Sequence, residues 1–299
     1  MRIDVNGTTL WFDVDGPVLI PEDGVWRRQP TVVLLHGGPG SFDHYYLKPD
    51  FHRLADVAQV VYLDLRGHGR SAWGDPADFS YEACAEDVCA LCDALGIERP
   101  ILYGHSMGGF IALVHAIRHP GDAAAIIVDS AGGRMDIPSM VERFRSIGGD
   151  EVADVVRRAY GGEEVTREEW LPCWALFGPS LPDRRYGVIN APLNRRYMPL
   201  LGTFDVMNQV DRIQCPALIV SGSLDPVMAP EVGRELAQAL PAGLGRHEVI
   251  EGAGHFPWKD RPEAYWRVVT EFVAGVAARS ARAGPSARPA SGAASGRFP

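Results

Sequence analysis

The chain has 299 residues, 46% of them hydrophobic, and a formal net charge of −9. This length allows one large domain or one domain with an insertion, and the acidic balance argues against nucleic acid or an anionic membrane as a partner. The N-terminus shows no apolar stretch of signal-peptide length, and no window reaches the roughly 18 apolar residues that span a bilayer. We therefore expect a soluble, cytoplasmic protein.

Short apolar strands are predicted to alternate with helices along most of the chain. The pattern predicts a hairpin in residues 1–14 with Asn6-Gly7 as its turn, strands at 31–35, 59–63, 101–103, 124–128, 217–220 and 249–250, and helices at 46–55, 81–95, 109–117 and 262–276. This alternation indicates an α/β fold built from parallel βαβ units. Glycine-rich loops follow several of the strands, where open α/β sheets bind ligands.

Residues 132–207 break this rhythm. They are rich in Arg, Glu, Trp, Tyr and Pro and show helical patterns at 138–147 and 151–160, without a clear strand. We predict a helical cap at 132–207 over a core formed by 1–131 and 208–278. Residues 279–299 are low-complexity Ala, Ser, Gly and Pro with scattered arginines, and we predict that they are disordered.

Residues 104–109 read Gly-His-Ser-Met-Gly-Gly directly after a predicted strand. A Gly-x-Ser-x-Gly turn between a strand and a helix is typical of a nucleophile elbow, in which glycines relieve steric clashes and the serine is exposed. The positive N-terminal end of the following helix would stabilise an oxyanion there. We predict Ser106 as a nucleophile.

A serine hydroxyl needs a base, and the base needs an orienting carboxylate. His255 follows the predicted strand 249–250, and Asp225 follows the predicted strand 217–220. We predict His255 as general base and then acid, and Asp225 as the group that fixes its tautomer. Asp129 also follows a strand and is the alternative acid.

An oxyanion hole needs two backbone N–H groups. We predict that Met107 supplies one, as the residue after the nucleophile, and that Gly38 supplies the other from the loop His-Gly-Gly-Pro-Gly at 36–40. Candidate pocket residues are Gly37, His105, Trp174, Phe177 and Trp258, with Trp170 and Tyr186 as further aromatic residues of the lid. For Trp258, and for the histidines His44, His68 and His105, a packing role is equally open.

Five cysteines, three of them in the predicted helix 81–95, do not resemble a disulfide framework. Cys89 and Cys92 have the spacing of half a zinc site or of a redox pair. However, Cys92 lies on the apolar face that Cys84, Val88 and Leu91 form. No second Cys/His pair at ligand spacing is present, so we expect no metal site.

These motifs together resemble the α/β-hydrolase superfamily. The loop at 36–40 and the sequence Asp-Leu-Arg-Gly-His-Gly-Arg-Ser at 64–71 are similar to its proline iminopeptidase-like branch. The resemblance covers roughly residues 1–131 and 208–278. It implies a mostly parallel, eight-stranded sheet flanked by helices, a helical cap, no cofactor, and hydrolysis through an acyl-enzyme.

The elbow Gly-His-Ser-Met-Gly departs from the Gly-Gly-Ser-Trp-Gly of proline iminopeptidases and is commoner among esterases, lactonases and carbon–carbon bond hydrolases of the same fold. We therefore expect a serine hydrolase that acts on a small ester or lactone. The alternative is an aminopeptidase, which needs acidic cap residues to hold a substrate ammonium. Candidates for that role, which otherwise form a solvated helix start, are Glu163, Glu164, Glu168 and Glu169. A ligand receptor with little turnover is a third possibility, and the oligomeric state stays open.

Overall fold

The computed structural model describes residues 1–182 and 187–283. Its strands are β1 (Arg2–Val5), β2 (Thr8–Asp15), β3 (Leu19–Glu22), β4 (Val25–Arg28), β5 (Thr31–Leu35), β6 (Gln59–Asp64), β7 (Ile101–His105), β8 (Ala125–Asp129), β9 (Ala217–Gly222) and β10 (Gly245–Ile250). Eight of them form one sheet in the order β1-β2-β6-β5-β7-β8-β9-β10. Only β1–β2 and β2–β6 pair antiparallel in it, which confirms the predicted mostly parallel α/β sheet.

Helices cover this sheet and fill the long connection after β8. They are α1 (Lys48–Phe51), α2 (Tyr81–Leu95), α3 (Met107–Arg118), α4 (Ile137–Gly161), α5 (Arg167–Trp174), α6 (Ala191–Tyr197), α7 (Pro230–Ala239), α8 (Pro257–Asp260) and α9 (Pro262–Ala283). Helix α3 packs on β5, β7 and β8, and α7 packs on β9 and β10. Among the described residues, no helix combines the length and apolar character needed to cross a membrane.

The central strands are buried along their whole length. All residues of β5, β7, β8 and β9 are buried, as expected for parallel strands covered on both faces. Because β7 lies between β5 and β8, the loop after β5, the turn after β7 and the end of β8 meet at one edge of the sheet. The loops after β9 and β10 reach the same edge, which places all the predicted catalytic residues on one side.

The connection between β8 and β9 leaves and re-enters the sheet at adjacent points. Arg134 pairs with Asp205 in an isolated β-bridge, and the Met135 N–H donates to the Phe204 carbonyl at 3.0 Å. These contacts support 132–207 as an inserted unit, a boundary that stays a proposal. Helix α4 is broken at Gly149 (φ 83°, ψ −178°), between the two helices that we predicted.

Several local predictions need correction. The predicted helix 46–55 is instead α1 with a 3-10 turn on each side, because Pro49 fits only the first turn of a helix. The hairpin formed by β3 and β4 was not predicted. Helix α9 continues to Ala283, since alanine and arginine favour helix, and the rest of the predicted tail lies outside the described residues.

Candidate active site

The turn after β7 has the geometry of a nucleophile elbow. Ser106 has φ 54° and ψ −121°, a backbone conformation that costs energy for any residue with a side chain. Its neighbours permit the turn, because a β-carbon on Gly104 would overlap the Gly108 carbonyl, and one on Gly108 would overlap the Leu35 carbonyl. The Ser106 side chain is partly exposed at the N-terminal end of α3.

His255 and Asp225 form a buried hydrogen-bonded pair. The His255 Nδ1 and Asp225 Oδ2 atoms are 2.8 Å apart, with the two side chains 4% and 0% exposed. The other oxygen of Asp225 accepts from the amides of Val227 and Met228 at 2.8 and 3.0 Å. A carboxylate only accepts, so Nδ1 carries the proton and Nε2 keeps a lone pair for use as a base.

Asp129, the alternative acid, is engaged elsewhere. It accepts hydrogen bonds from the hydroxyls of Tyr103 at 2.5 Å, Tyr265 at 2.7 Å and Ser130 at 3.1 Å. Burial raises the pKa of Asp129 to about 6, although these hydroxyls oppose the shift. The carboxylate that contacts His255 is therefore that of Asp225, whereas Asp129 binds a cluster of buried hydroxyl groups.

His105, the residue before Ser106, holds the His255 loop against the elbow. Its Nε2 donates to the His255 carbonyl at 2.8 Å, and the two ring centroids lie 4.9 Å apart. The Ser106 hydroxyl makes no hydrogen bond to another described residue. Catalytic hydrogen bonds are often loose before substrate binds, so this arrangement is compatible with proton transfer between Ser106 and His255.

A chain of buried hydrogen bonds joins the His255 loop to the loop after β5. The Gly37 N–H donates to the Tyr46 hydroxyl at 2.8 Å, and that hydroxyl donates to His105 Nδ1 at 2.7 Å. Burial lowers the pKa of His105 well below its usual value, which keeps the ring neutral and able to accept at Nδ1. Sequence reasoning missed Tyr46, because a tyrosine in a loop carries no motif.

The loop at 36–40 is held by two neutral histidines. His36 donates from Nδ1 to the Gly37 carbonyl at 2.6 Å and accepts the Leu65 N–H at Nε2. His68 accepts the Gly40 N–H at 2.7 Å, and burial lowers its pKa to about 3. Both histidines therefore organise the loop.

The two predicted oxyanion donors border each other. A β-carbon on Gly38 would meet the Met107 side chain at 2.9 Å, and one on Gly37 would lie 3.4 Å from Ser106 Cβ. Neither the Gly38 nor the Met107 amide donates a hydrogen bond to another part of the described chain. Both N–H groups thus stay available for an oxyanion, a role that remains a prediction.

The cap contacts the histidine loop directly. The Phe177 carbonyl accepts the His255 N–H at 2.6 Å, and the Phe177 ring packs edge-on against the imidazole at 5.5 Å. The Trp174 side chain is partly exposed, and its ring centroid lies 5.6 Å from that of Phe256 and 5.7 Å from that of Phe42. These aromatic rings form one apolar wall beside His255.

Three further aromatic candidates have different outcomes. Trp258 is 1% exposed and packs perpendicular to His105 at 4.8 Å, which favours the packing role left open for it. Tyr186 lies outside the described residues. Trp170 lies 6.1 Å from Phe177, behind the wall.

Two of the four candidate cap glutamates are tied up in surface contacts, and the other two are exposed. Glu163 pairs with Arg157 at 3.1 Å. Glu169 pairs with Arg158 at 2.6 Å and closes a capping box with Thr166 at the start of α5. This arrangement favours the solvated helix start over an ammonium-binding site.

A cleft of about 540 Å³ lies elsewhere, at the N-terminal hairpin. Its lining includes Asn6, Arg66, Trp73 and Phe79, and none of the predicted catalytic residues. The hydrogen-bonded geometry around Ser106 is a stronger guide to chemistry than the size of this cleft, because reactivity depends on positioned groups.

Comparisons with known proteins agree with this geometry. Residues 32–268 match the family model described as the alpha/beta hydrolase family. A proline iminopeptidase from Saccharolobus solfataricus is 27% identical over 275 residues, covering 81% of this chain and 84% of the relative.

Two solved structures are similar over most of the chain. A thermophilic esterase from Thermogutta terrifontis has a TM-score of 0.67 and 26% identity. The match covers 93% of this chain and 99% of the esterase chain. The enol-lactonase from Burkholderia xenovorans LB400 has a TM-score of 0.65 and 26% identity, covering 91% and 99%. The sheet, the elbow and the family match lead to one conclusion: this chain is a hydrolase that belongs to the alpha/beta hydrolase family.

Proposed function

We propose that this hydrolase cleaves a small carboxylic ester or lactone through an acyl-enzyme formed on Ser106. The observation that carries the proposal is the 2.8 Å hydrogen bond between His255 Nδ1 and Asp225, on a loop that His105 ties to the strained turn at Ser106. That bond presents Nε2 as the base, while the elbow presents the hydroxyl as the nucleophile.

The reaction follows from these positions. Ser106 Oγ attacks the substrate carbonyl while His255 Nε2 takes the hydroxyl proton, and the amides of Gly38 and Met107 stabilise the oxyanion. His255 then returns the proton to the leaving alcohol oxygen, which leaves the acyl group on Ser106. Water, deprotonated by His255, attacks the acyl carbonyl, and His255 then returns that proton to Ser106 Oγ as the acyl–serine bond breaks and the acid leaves.

The cap favours an ester over a peptide N-terminus. Trp174, Phe177 and Phe256 give the site an apolar wall, which suits a neutral acyl or alcohol group. The similarity to an esterase and to an enol-lactonase supports the same substrate class. The acidic charge balance argues against nucleic-acid and anionic-membrane partners, and a cytoplasmic location stays part of this proposal.

An aminopeptidase is the second candidate, and the similarity to a proline iminopeptidase favours it. Its substrate carries an ammonium group, which needs a carboxylate near the bound N-terminus. Glu163 and Glu169 are already paired with arginines at the surface, and Glu164 and Glu168 are exposed, so these cap residues do not support that role.

The test is a panel of p-nitrophenyl esters and lactones set against proline p-nitroanilide, with Ser106→Ala as the control. We expect turnover of short esters or lactones at least about 100-fold above that of the anilide, and loss of both in the control. Faster anilide turnover would favour the aminopeptidase. A single stoichiometric burst without steady-state turnover would favour a ligand receptor.

A further inference from the structure

A second cluster of reactive side chains lies between α2 and the C-terminal end of α3. The Cys89 Sγ atom is 3.3 Å from His115 Nε2 and 3.8 Å from Asp122 Oδ2. The His115 Nε2 and Asp122 Oδ2 atoms are 3.4 Å apart. A thiol, an imidazole and a carboxylate therefore converge on one point, from two helices and the loop that follows α3.

These separations fit a tetrahedral metal centre. With Zn–S of about 2.3 Å and Zn–N or Zn–O of about 2.0–2.2 Å, tetrahedral geometry places neighbouring ligand atoms about 3.3–3.6 Å apart. The measured edges of 3.3 and 3.4 Å lie in this range, and the Sγ–Oδ2 edge of 3.8 Å is slightly longer. We propose that Cys89, His115 and Asp122 bind a Zn²⁺ ion, as three corners of a tetrahedron.

The fourth corner has candidates close by. His119 lies one helical turn after His115, and its Nε2 is 3.2 Å from Glu86 Oε1. Glu86, Cys89 and His119 offer ligand atoms that all lie within 4.8 Å of one another. Glu86 is also paired with Arg118 at 2.8 Å, so His119 is the more available of the two, and water fills the fourth position otherwise.

The cluster is both ordered and accessible. The His115 ring is fully buried, and its polar contacts within the described chain are with Cys89 and Asp122, so Nε2 is held toward the proposed ion. Cys89 and Asp122 are partly exposed, which gives the ion a path of entry. Binding replaces the Cys89 thiol proton by the metal, so one proton is released for each ion bound.

The proposed site is separate from the chemistry at Ser106. His115 lies nine residues further along α3, roughly 13 Å at the helical rise. The ion would clamp α2, α3 and the following loop together, and would take no part in ester hydrolysis. Sequence reasoning missed the site, because it looked for paired Cys and His at short spacing, whereas these ligands come from positions 89, 115 and 122.

The test uses full-length, untagged protein stripped with a chelator and titrated with ZnCl₂ by calorimetry and with CoCl₂ by absorption. We expect one ion per chain, release of a proton, and a thiolate–cobalt charge-transfer band. Cys89→Ser should abolish that band, and both it and Asp122→Asn should weaken Zn²⁺ binding by more than the roughly 10- to 100-fold typical of outer-shell changes. Cys92→Ser removes a thiol of the same helix and should bind as the wild type.

Circular dichroism checks that each variant is folded, so a loss of Zn²⁺ binding can be assigned to the substituted side chain. No stoichiometric binding by the stripped wild type would overturn the proposal, as would wild-type affinity in Cys89→Ser. Ester hydrolysis should be unchanged by metal removal, and a loss of activity on stripping would contradict a clamp remote from the serine. The calorimetric and absorption readouts do not depend on the proposed substrate, so the two proposals fail separately.

Discussion

The sheet side and the cap side of the active site are held in different ways. On the sheet side, Gly37, Tyr46, His105 and His255 are linked in one chain of hydrogen bonds between 2.7 and 2.8 Å. On the cap side, contact is made by aromatic rings and by one backbone hydrogen bond from His255 to the Phe177 carbonyl. Directional bonds fix the reacting groups, whereas apolar contacts leave room to accommodate substrates. Changes on the sheet side should therefore alter the rate of the chemical step, and changes on the cap side should alter substrate preference.

The largest contrast is expected between two aspartates on the sheet side. Asp225→Asn removes the carboxylate that fixes the His255 tautomer, and kcat should fall on the order of 10⁴-fold. Asp129→Asn keeps the His255 pair intact, so kcat should fall by less than about 10-fold. Steady-state kinetics on the best ester of the panel measure both. Equal losses would mean that Asp129, not Asp225 alone, supports the histidine.

A smaller effect is expected at Tyr46. Tyr46→Phe keeps the ring but leaves the Gly37 N–H and His105 Nδ1 without their partner, which costs about 1–3 kcal/mol of stability for each unsatisfied buried group. Because the two loops lose their link, kcat should fall about 10- to 100-fold with KM nearly unchanged. Tyr45→Phe, one residue away, is the matched control and should keep wild-type kcat. A change in stability alone would show that the hydrogen-bond chain has no positioning role.

On the cap side we expect a change in selectivity. Trp174→Ala opens the aromatic wall, and a pocket contact of this kind is worth about 1–3 kcal/mol of discrimination. The ratio of kcat/KM for a longer acyl chain over acetate should change about 10-fold or more, while turnover of the acetate ester stays close to the wild type. Trp26→Ala, at a 71% exposed position on the β3–β4 hairpin, is the control. Equal losses on all esters would mean that Trp174 supports the sheet side instead.

The smallest effect on activity, but a measurable one on stability, is expected from the buried Asp129. Its pKa is raised from 3.8 to about 6, so the folded state holds this proton more tightly than the unfolded state does. The resulting stabilisation, up to about 3 kcal/mol, is complete below about pH 4 and is lost as pH rises through 6. Urea unfolding of the wild type and of Asp129→Asn at pH 4 to 7 measures it. The free energy of unfolding of the wild type, relative to that of Asp129→Asn, should fall as pH rises. A difference that stays constant with pH would contradict the raised pKa of Asp129.

The sheet side of the site could be predicted from the sequence more fully than the cap side. Ser106, Asp225 and His255 each follow an apolar strand, and parallel strands bring their carboxyl ends to one edge, so their proximity follows from order along the chain. The role of Tyr46 could not be predicted, since it depends on how three loops meet. The sequence predicted Asp225 and left Asp129 as the alternative, because both follow strands, and the contact of His255 with Asp225 became visible only in the fold. Trp174 and Phe177 were predicted as candidate pocket residues of the cap, without their contacts.

The central claim is that Ser106 Oγ is the nucleophile and that the His255–Asp225 pair activates it. Its most direct test is stoichiometric labelling with a fluorophosphonate, followed by mass spectrometry of the peptide that contains the elbow. We predict one adduct per chain on Ser106, formed at least 10³-fold more slowly in folded His255→Ala and absent in Ser106→Ala. Labelling at another residue, or undiminished ester hydrolysis in Ser106→Ala, would contradict the account.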